Sequence, residues 1–157
     1  MNPYWIDSQS FRLATMARPR GEEWLTDDLA SLKRAGVRVV VSALTAGEIE
    51  ELGLMNEEGA CIREGLSFRS FSIEDRMVPA DLKTFAEFVD MLCLELRGGA
   101  SIVIHCRAGI GRSSLIAACL LIRYGFAAEE ALEMIEEARG YPVPDTPEQR
   151  EWIKQFQ

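Results

Sequence analysis

His105-Cys106-Arg107-Ala108-Gly109-Ile110-Gly111-Arg112-Ser113-Ser114 is the stretch on which the fold of this chain turns. The run Ser101 to Ile104 before it, just after Gly98-Gly99, is short, apolar and β-branched, as a central strand should be. Ser113 to Tyr124 after it has helical length and an apolar face. The order is therefore strand, tight loop, helix. Such a loop aims successive backbone N–H groups and the positive end of the helix dipole at one point, which suits a phosphate dianion. Gly109 and Gly111 let the backbone turn inward without a Cβ in the way. The same field favours the thiolate of Cys106 and predicts a nucleophile at neutral pH. Arg112 supplies a planar fork for two phosphate oxygens, and Ser113 can hydrogen-bond the cysteine sulfur when that sulfur has to leave.

At 157 residues and 48% apolar content the chain is expected to be one domain, 1–157, with an ordinary core. Its net charge of −8 argues against nucleic-acid binding, which needs dense positive charge to replace counterions. An anionic substrate has to be attracted locally. No basic leader precedes an apolar stretch, and no run approaches the roughly 20 apolar residues of a membrane span, so a cytoplasmic monomer is expected. The four cysteines form no metal-ligand spacing, and neither metal nor cofactor is expected. Cys93 and Cys119 read as buried hydrophobes, while Cys61 is a candidate resolving thiol for Cys106.

Working outward, Pro3 to Met16 suggests one or two edge strands, and Glu22 to Ala35 a helix ended by Gly36. Val37 to Leu44 reads as a buried strand. Thr45 with Glu48 makes a capping-box pattern that opens the next helix. Asn56 to Gly65 is a short helical stretch, Ser67 to Ile73 an alternating strand, and Asp81 to Arg97 a long amphipathic helix. Helices from Ala127 to Arg139 and after Pro147 close the chain. Alternating strands and helices predict an α/β fold, with a mostly parallel central sheet of four to five strands flanked by helices. The loop then lies at the carboxyl end of its strand, where such sheets bind ligands.

Attack of a thiolate on a phosphate monoester needs a proton for the departing oxygen and later a base for water, and one carboxyl can do both. Asp75, in the loop Glu74-Asp75-Arg76-Met77-Val78-Pro79, is the candidate. His105 is the only histidine; on an extended backbone its side chain points away from that of Cys106, so it reads as a support that hydrogen-bonds the loop backbone.

His105-Cys106 through Arg112-Ser113 resembles the HCxxGxxR[ST] signature of the cysteine-based protein tyrosine phosphatases, and the chain is similar to their small dual-specificity branch. The resemblance implies the three-layer fold of that family, Cys106 as nucleophile, Arg112 as phosphate clamp, and the amides of Arg107, Ala108, Gly109, Ile110, Gly111 and Arg112 as the cradle. It places Asp75 in the acid/base role and Ser113 at the hydroxyl that assists thiolate departure. Asp145-Thr146-Pro147-Glu148-Gln149 is similar to a C-terminal pattern of the family; the resemblance makes Gln149 a candidate for positioning water, as in larger members, or a structural residue, as in compact ones. The implied function is hydrolysis of phosphotyrosine, with phosphoserine and phosphothreonine as further options, in a protein or peptide partner.

Other loops fit less well. A Walker loop needs an earlier glycine and a lysine where Arg112 stands. Rhodanese-type proteins do not need Gly109 and Gly111 in this arrangement, and low-molecular-weight tyrosine phosphatases and arsenate reductases carry the cysteine before the acid. A module that only binds phosphate would not need Cys106, Arg112 and Asp75 together. Inositol-lipid phosphatases tend to carry lysines in the loop; this one has only Arg107 as an extra cation, which keeps a phosphoinositide as the alternative substrate. Pocket depth is expected to be set by Arg18 to Gly21 and Arg76 to Val78.

Overall fold

Strand β5, Ser101–His105, is buried along its whole length and forms the middle of the sheet. The computed structural model describes all residues, 1–157. On one side β5 pairs in parallel with β2, Arg12–Met16, and on the other with β3, Val39–Ser42. β3 continues in parallel to β4, Ser67–Ser70, and β1, Tyr4–Trp5, closes the far edge antiparallel to β2. The sheet order is β1-β2-β5-β3-β4, five strands of which four are parallel, as expected of the α/β class.

Side-chain alternation along the strands divides the core in two. Leu13, Val39, Val41, Ile102 and Ile104 face one layer of 28 buried residues. That layer is covered by α4 (Leu82–Arg97), α5 (Arg112–Tyr124), α6 (Ala128–Arg139) and α7 (Pro147–Gln155). Ala14, Met16, Val40 and Val103 face a smaller layer of 13, under α1 (Leu25–Arg34) and α3 (Glu57–Arg63). Strands buried on both faces explain why their sequence reads as continuous apolar runs. The three-layer arrangement follows.

The short helix α2, Ala46–Glu51, opens on the capping box read from Thr45 and Glu48: the Thr45 hydroxyl accepts from the Glu48 N–H, and the Glu48 carboxylate accepts from the Thr45 N–H. No helix is long and apolar enough to cross a membrane.

Candidate active site

β5 ends at His105 and α5 begins at Arg112, so the six residues between them form the tight loop at the carboxyl end of the central strand. Gly109 has φ +75°, and a Cβ there would lie 2.6 Å from the Met16 carbonyl carbon; the loop is pressed against the end of β2. The Arg18 N–H donates to the Arg107 carbonyl at 3.3 Å and ties the same two segments. Behind Gly111 a Cβ would meet Asp145 Cβ at 2.9 Å and Gln149 Oε1 at 3.0 Å. Cys106 is 3% exposed, with Sγ 3.3 Å from Ser113 Oγ.

Arg112 is buried with its guanidinium held in a fixed plane. Nη1 donates to Glu48 Oε1 (2.6 Å) and to the Ile73 carbonyl (2.9 Å), while Nη2 donates to Glu48 Oε2 (2.9 Å) and Asp75 Oδ1 (3.1 Å). Bidentate pairing of this kind fixes orientation as well as energy. The Arg112 hydrogen bonds hold the Glu48 carboxyl down at about 2, against the cost of its burial. Burial opposes the charge on Arg112, but the Glu48 hydrogen bond and the charges of Cys106, Glu48 and Asp75 outweigh it and raise its affinity for the proton.

The Asp75 loop is anchored at its start. The Ser72 hydroxyl donates to the Leu44 carbonyl at 3.0 Å and the Ile73 N–H to the Ala43 carbonyl at 3.0 Å. The Met77 N–H then donates to the Glu74 carbonyl, closing a turn in which Arg76 takes φ +65°. That turn brings Asp75 to Arg112, whereas Glu74 makes no contact with the guanidinium. Arg76 reaches across to Asp145, Nη1 to Oδ2 at 3.0 Å. Cys106, Arg112, Asp75, Arg76 and Asp145 thus share one cavity of about 230 Å³ with Arg107, Ala108, Ile110 and Gly111 of the loop. A larger cleft of about 510 Å³, between Leu82, Lys83 and Ala86 of α4, Arg123 and Phe156, is lined by no cysteine, aspartate or glutamate and shares no residue with this cavity.

Several residues singled out in the sequence are buried away from the cavity. His105 is fully buried; Nε2 lies 2.7 Å from Glu57 Oε2 and Nδ1 3.3 Å from the Cys106 carbonyl oxygen, so it braces the backbone of the nucleophile. Gln149, the candidate for positioning water, is not among the residues that line the cavity. It is fully buried, its Oε1 accepts from the N–H groups of Asp145 and Thr146 (both 3.2 Å), and its Nε2 donates to the Met77 carbonyl (3.0 Å). An amide so committed holds the Asp75 loop against the start of α7. Cys61 is buried in the smaller layer while Cys106 borders the larger, so the sheet separates them; burial also pushes the Cys61 thiol up to about 12, which removes it as a resolving thiol. Of the expected walls only Arg76 lines the cavity; Met77, Val78 and Arg18 to Gly21 do not. Glu48, Glu57 and Asp145 are the site residues that the sequence reading missed.

Residues 14–126 match the family Tc-R-P, described as "Polymorphic toxin system, DSP-PTPase phosphatase". Among curated proteins, cyclin-dependent kinase inhibitor 3 is 28% identical over 131 residues in Rattus norvegicus and in Homo sapiens, covering 82% of this chain. Tyrosine-protein phosphatase CDC14 of Saccharomyces cerevisiae is 34% identical over 76 residues, 48% of this chain and 14% of that protein. The chain spans 61% of the length of the cyclin-dependent kinase inhibitor 3 proteins. Among solved structures, kinase associated phosphatase superposes with a TM-score of 0.88 at 24% identity, covering 99% of this chain and 93% of that one. PTPMT1 in complex with PI(5)P superposes with a TM-score of 0.75 at 25% identity, covering 92% and 89%.

Proposed function

The chain belongs to the dual-specificity and tyrosine phosphatase (DSP-PTPase) family, and from that premise we propose that it hydrolyses phosphomonoesters through a phosphocysteine on Cys106, with phosphotyrosine in proteins as the preferred substrate and phosphoserine and phosphothreonine as further ones. Residues 1–157 act as one catalytic domain on this reading. The observation that carries it is that Cys106, Arg112 and Asp75, from two loops, line a single cavity.

In the first step the Cys106 thiolate attacks phosphorus, the P–O ester bond breaks, and the Asp75 carboxyl gives its proton to the departing oxygen. Arg112 and the amides from Arg107 to Arg112 neutralise the transferring phosphoryl group, so that no metal is required. Incoming phosphate competes with Asp75 for Nη2 of Arg112. Displacing the carboxylate from that nitrogen frees it to take up the proton that it then gives to the leaving group. In the second step Asp75 takes a proton from water, water attacks phosphorus, the P–S bond breaks, and the Ser113 hydroxyl hydrogen-bonds the departing thiolate. Glu48 keeps Arg112 in plane, and His105 with Glu57 braces the Cys106 backbone.

Support for a phosphoprotein comes from the loop, where Ala108 and Ile110 stand in place of further cations and Arg107 is turned to Glu51 at 3.1 Å. The deciding experiment assays the protein, with Cys106→Ser as control, on phosphotyrosine, phosphoserine and phosphothreonine peptides and on phosphoinositides. Phosphotyrosine turnover abolished in the control is expected. Turnover that survives Cys106→Ser removes the mechanism, and turnover confined to phosphoinositides removes the protein substrate.

A further inference from the structure

The cradle has a weak point at the peptide between Gly109 and Ile110. Gly109 carries no Cβ and sits at φ +75°, a region that glycine enters and leaves at little steric cost. Because a trans peptide is planar, the Gly109 carbonyl and the Ile110 N–H point in opposite directions. Rotation of this one unit by a half turn exchanges a donor for an acceptor on the side that lines the cavity, and a carbonyl oxygen there repels phosphate. Something has to choose between the two orientations.

Arg139, the last residue of α6, lies behind the loop and is not part of the cavity wall. Its Nε donates to the Gly109 carbonyl at 3.1 Å. Its guanidinium lies over the ring of Tyr4 on the edge strand, 4.3 Å from the centroid, and 5.8 Å from that of Tyr141 just after the helix. Cation–π contact on two sides limits its movement and lowers the cost of holding its donor in place. We propose that Arg139 is a positioning residue of the cradle: it pins the Gly109 carbonyl outward, keeps the Ile110 N–H turned to the phosphate, and makes the N-terminal edge strand part of the phosphate site.

The inference rests on the phosphatase reading above. Losing a charge-assisted hydrogen bond shifts the choice of orientation roughly tenfold to a hundredfold toward the flipped peptide. A site that is competent only part of the time binds more weakly by that fraction, but phosphate selects the competent state once bound. Arg139→Met is therefore expected to raise KM for an aryl phosphate, and the inhibition constant of inorganic phosphate, severalfold and at most by roughly that factor, with kcat changed much less. Its Tm is expected to fall by several degrees, with the fold kept, because the hydrogen bond and the cation–π contacts are lost together. Arg139→Lys restores most of the affinity, since an ammonium can still reach the carbonyl.

The probe is inorganic phosphate added to the full chain, followed by inhibition and by the backbone amide resonance of Ile110. That resonance is expected to move on phosphate binding in the wild type and in Arg139→Lys, and to respond in Arg139→Met only at severalfold higher phosphate. Wild-type phosphate affinity in Arg139→Met, within twofold, overturns the proposal, as does a fall in kcat with KM unchanged. If the methionine variant does not fold, Arg139→Gln, which keeps a donor without the charge, decides on the same two readouts. A wild-type protein that binds no phosphate removes the phosphatase reading and this inference with it; a wild type that binds and a variant that binds equally well removes only the brace.

Discussion

Replacing Glu48 by glutamine takes the counter-charge from a guanidinium that is 2% exposed. The Glu48 carboxyl is held at about 2 where an ordinary glutamate stands at 4.5, chiefly by the hydrogen bonds from Arg112. A displacement of that size corresponds to about 3 kcal/mol at about 1.4 kcal/mol per unit. Removing one partner of a buried pair costs about 3–5 kcal/mol, and glutamine retains an acceptor, so the expected loss at neutral pH is about 2–3 kcal/mol. The sign of the pH dependence follows from the depressed value. A carboxyl held below its unfolded value stabilises fully above about 4.5 and loses that contribution as pH falls toward about 2. Urea unfolding, followed through the fluorescence of the three tryptophans, measures this directly. The wild-type advantage over Glu48→Gln is expected in full at pH 7, to shrink below about pH 4.5, and to be nearly gone at about pH 2. The same variant should lose kcat/KM on aryl phosphates, because the clamp has lost its fixed plane. A stability difference below about 0.5 kcal/mol at pH 7, or one that persists unchanged into acid, refutes the reasoning.

Asp75→Asn should lower kcat by about 10²–10⁴ on phenyl phosphate, whose leaving group needs the proton, while KM stays level or falls because the asparagine competes less for Arg112 Nη2. Steady-state kinetics against leaving-group pKa checks this, and an unchanged kcat on poor leaving groups removes Asp75 from the acid role. Gln149→Ala leaves the N–H groups of Asp145 and Thr146 and the Met77 carbonyl without their partner and should cost about 1–3 kcal/mol in stability. Turnover should fall through a loosened Asp75 loop without build-up of phosphocysteine; accumulation of that intermediate on rapid quench would return the glutamine to a water-positioning role.

What was legible in the sequence was whatever local spacing determines. The cradle is a contiguous run, the strands alternate, and Asp75 stands out in a polar loop that ends at Pro79 and precedes the cradle. Contacts across long separations were not legible. Glu48 meets Arg112 across 64 positions, Glu57 meets His105 across 48, and Gln149 meets Met77 across 72. Each of the three also has a sufficient local explanation. Glu48 and Gln149 are the third residues of capping boxes, and Glu57 is a first-turn acid that favours the positive end of a helix. A residue already accounted for by its own helix gives no signal of a second partner.

Topology gives these residues their second partner. In a parallel sheet the connection after each strand begins at the carboxyl edge, the edge to which β5 delivers the cradle. α2 follows β3 directly, so its capping glutamate comes up beside Arg112, and the Asp75 loop follows β4 to the same edge. α7 begins behind Gly111, where its capping glutamine meets the Met77 carbonyl. Helix starts that need a carboxylate or an amide for their own N–H groups thus place those groups around the active site at no separate structural cost. The loop that concentrates Arg107 and Arg112 for an anionic substrate has those charges offset in the free protein by Glu48 and Glu51 of α2. The cradle therefore depends on helix starts, of which the sequence reading takes Glu48 only as a local cap and Gln149 as a candidate for positioning water.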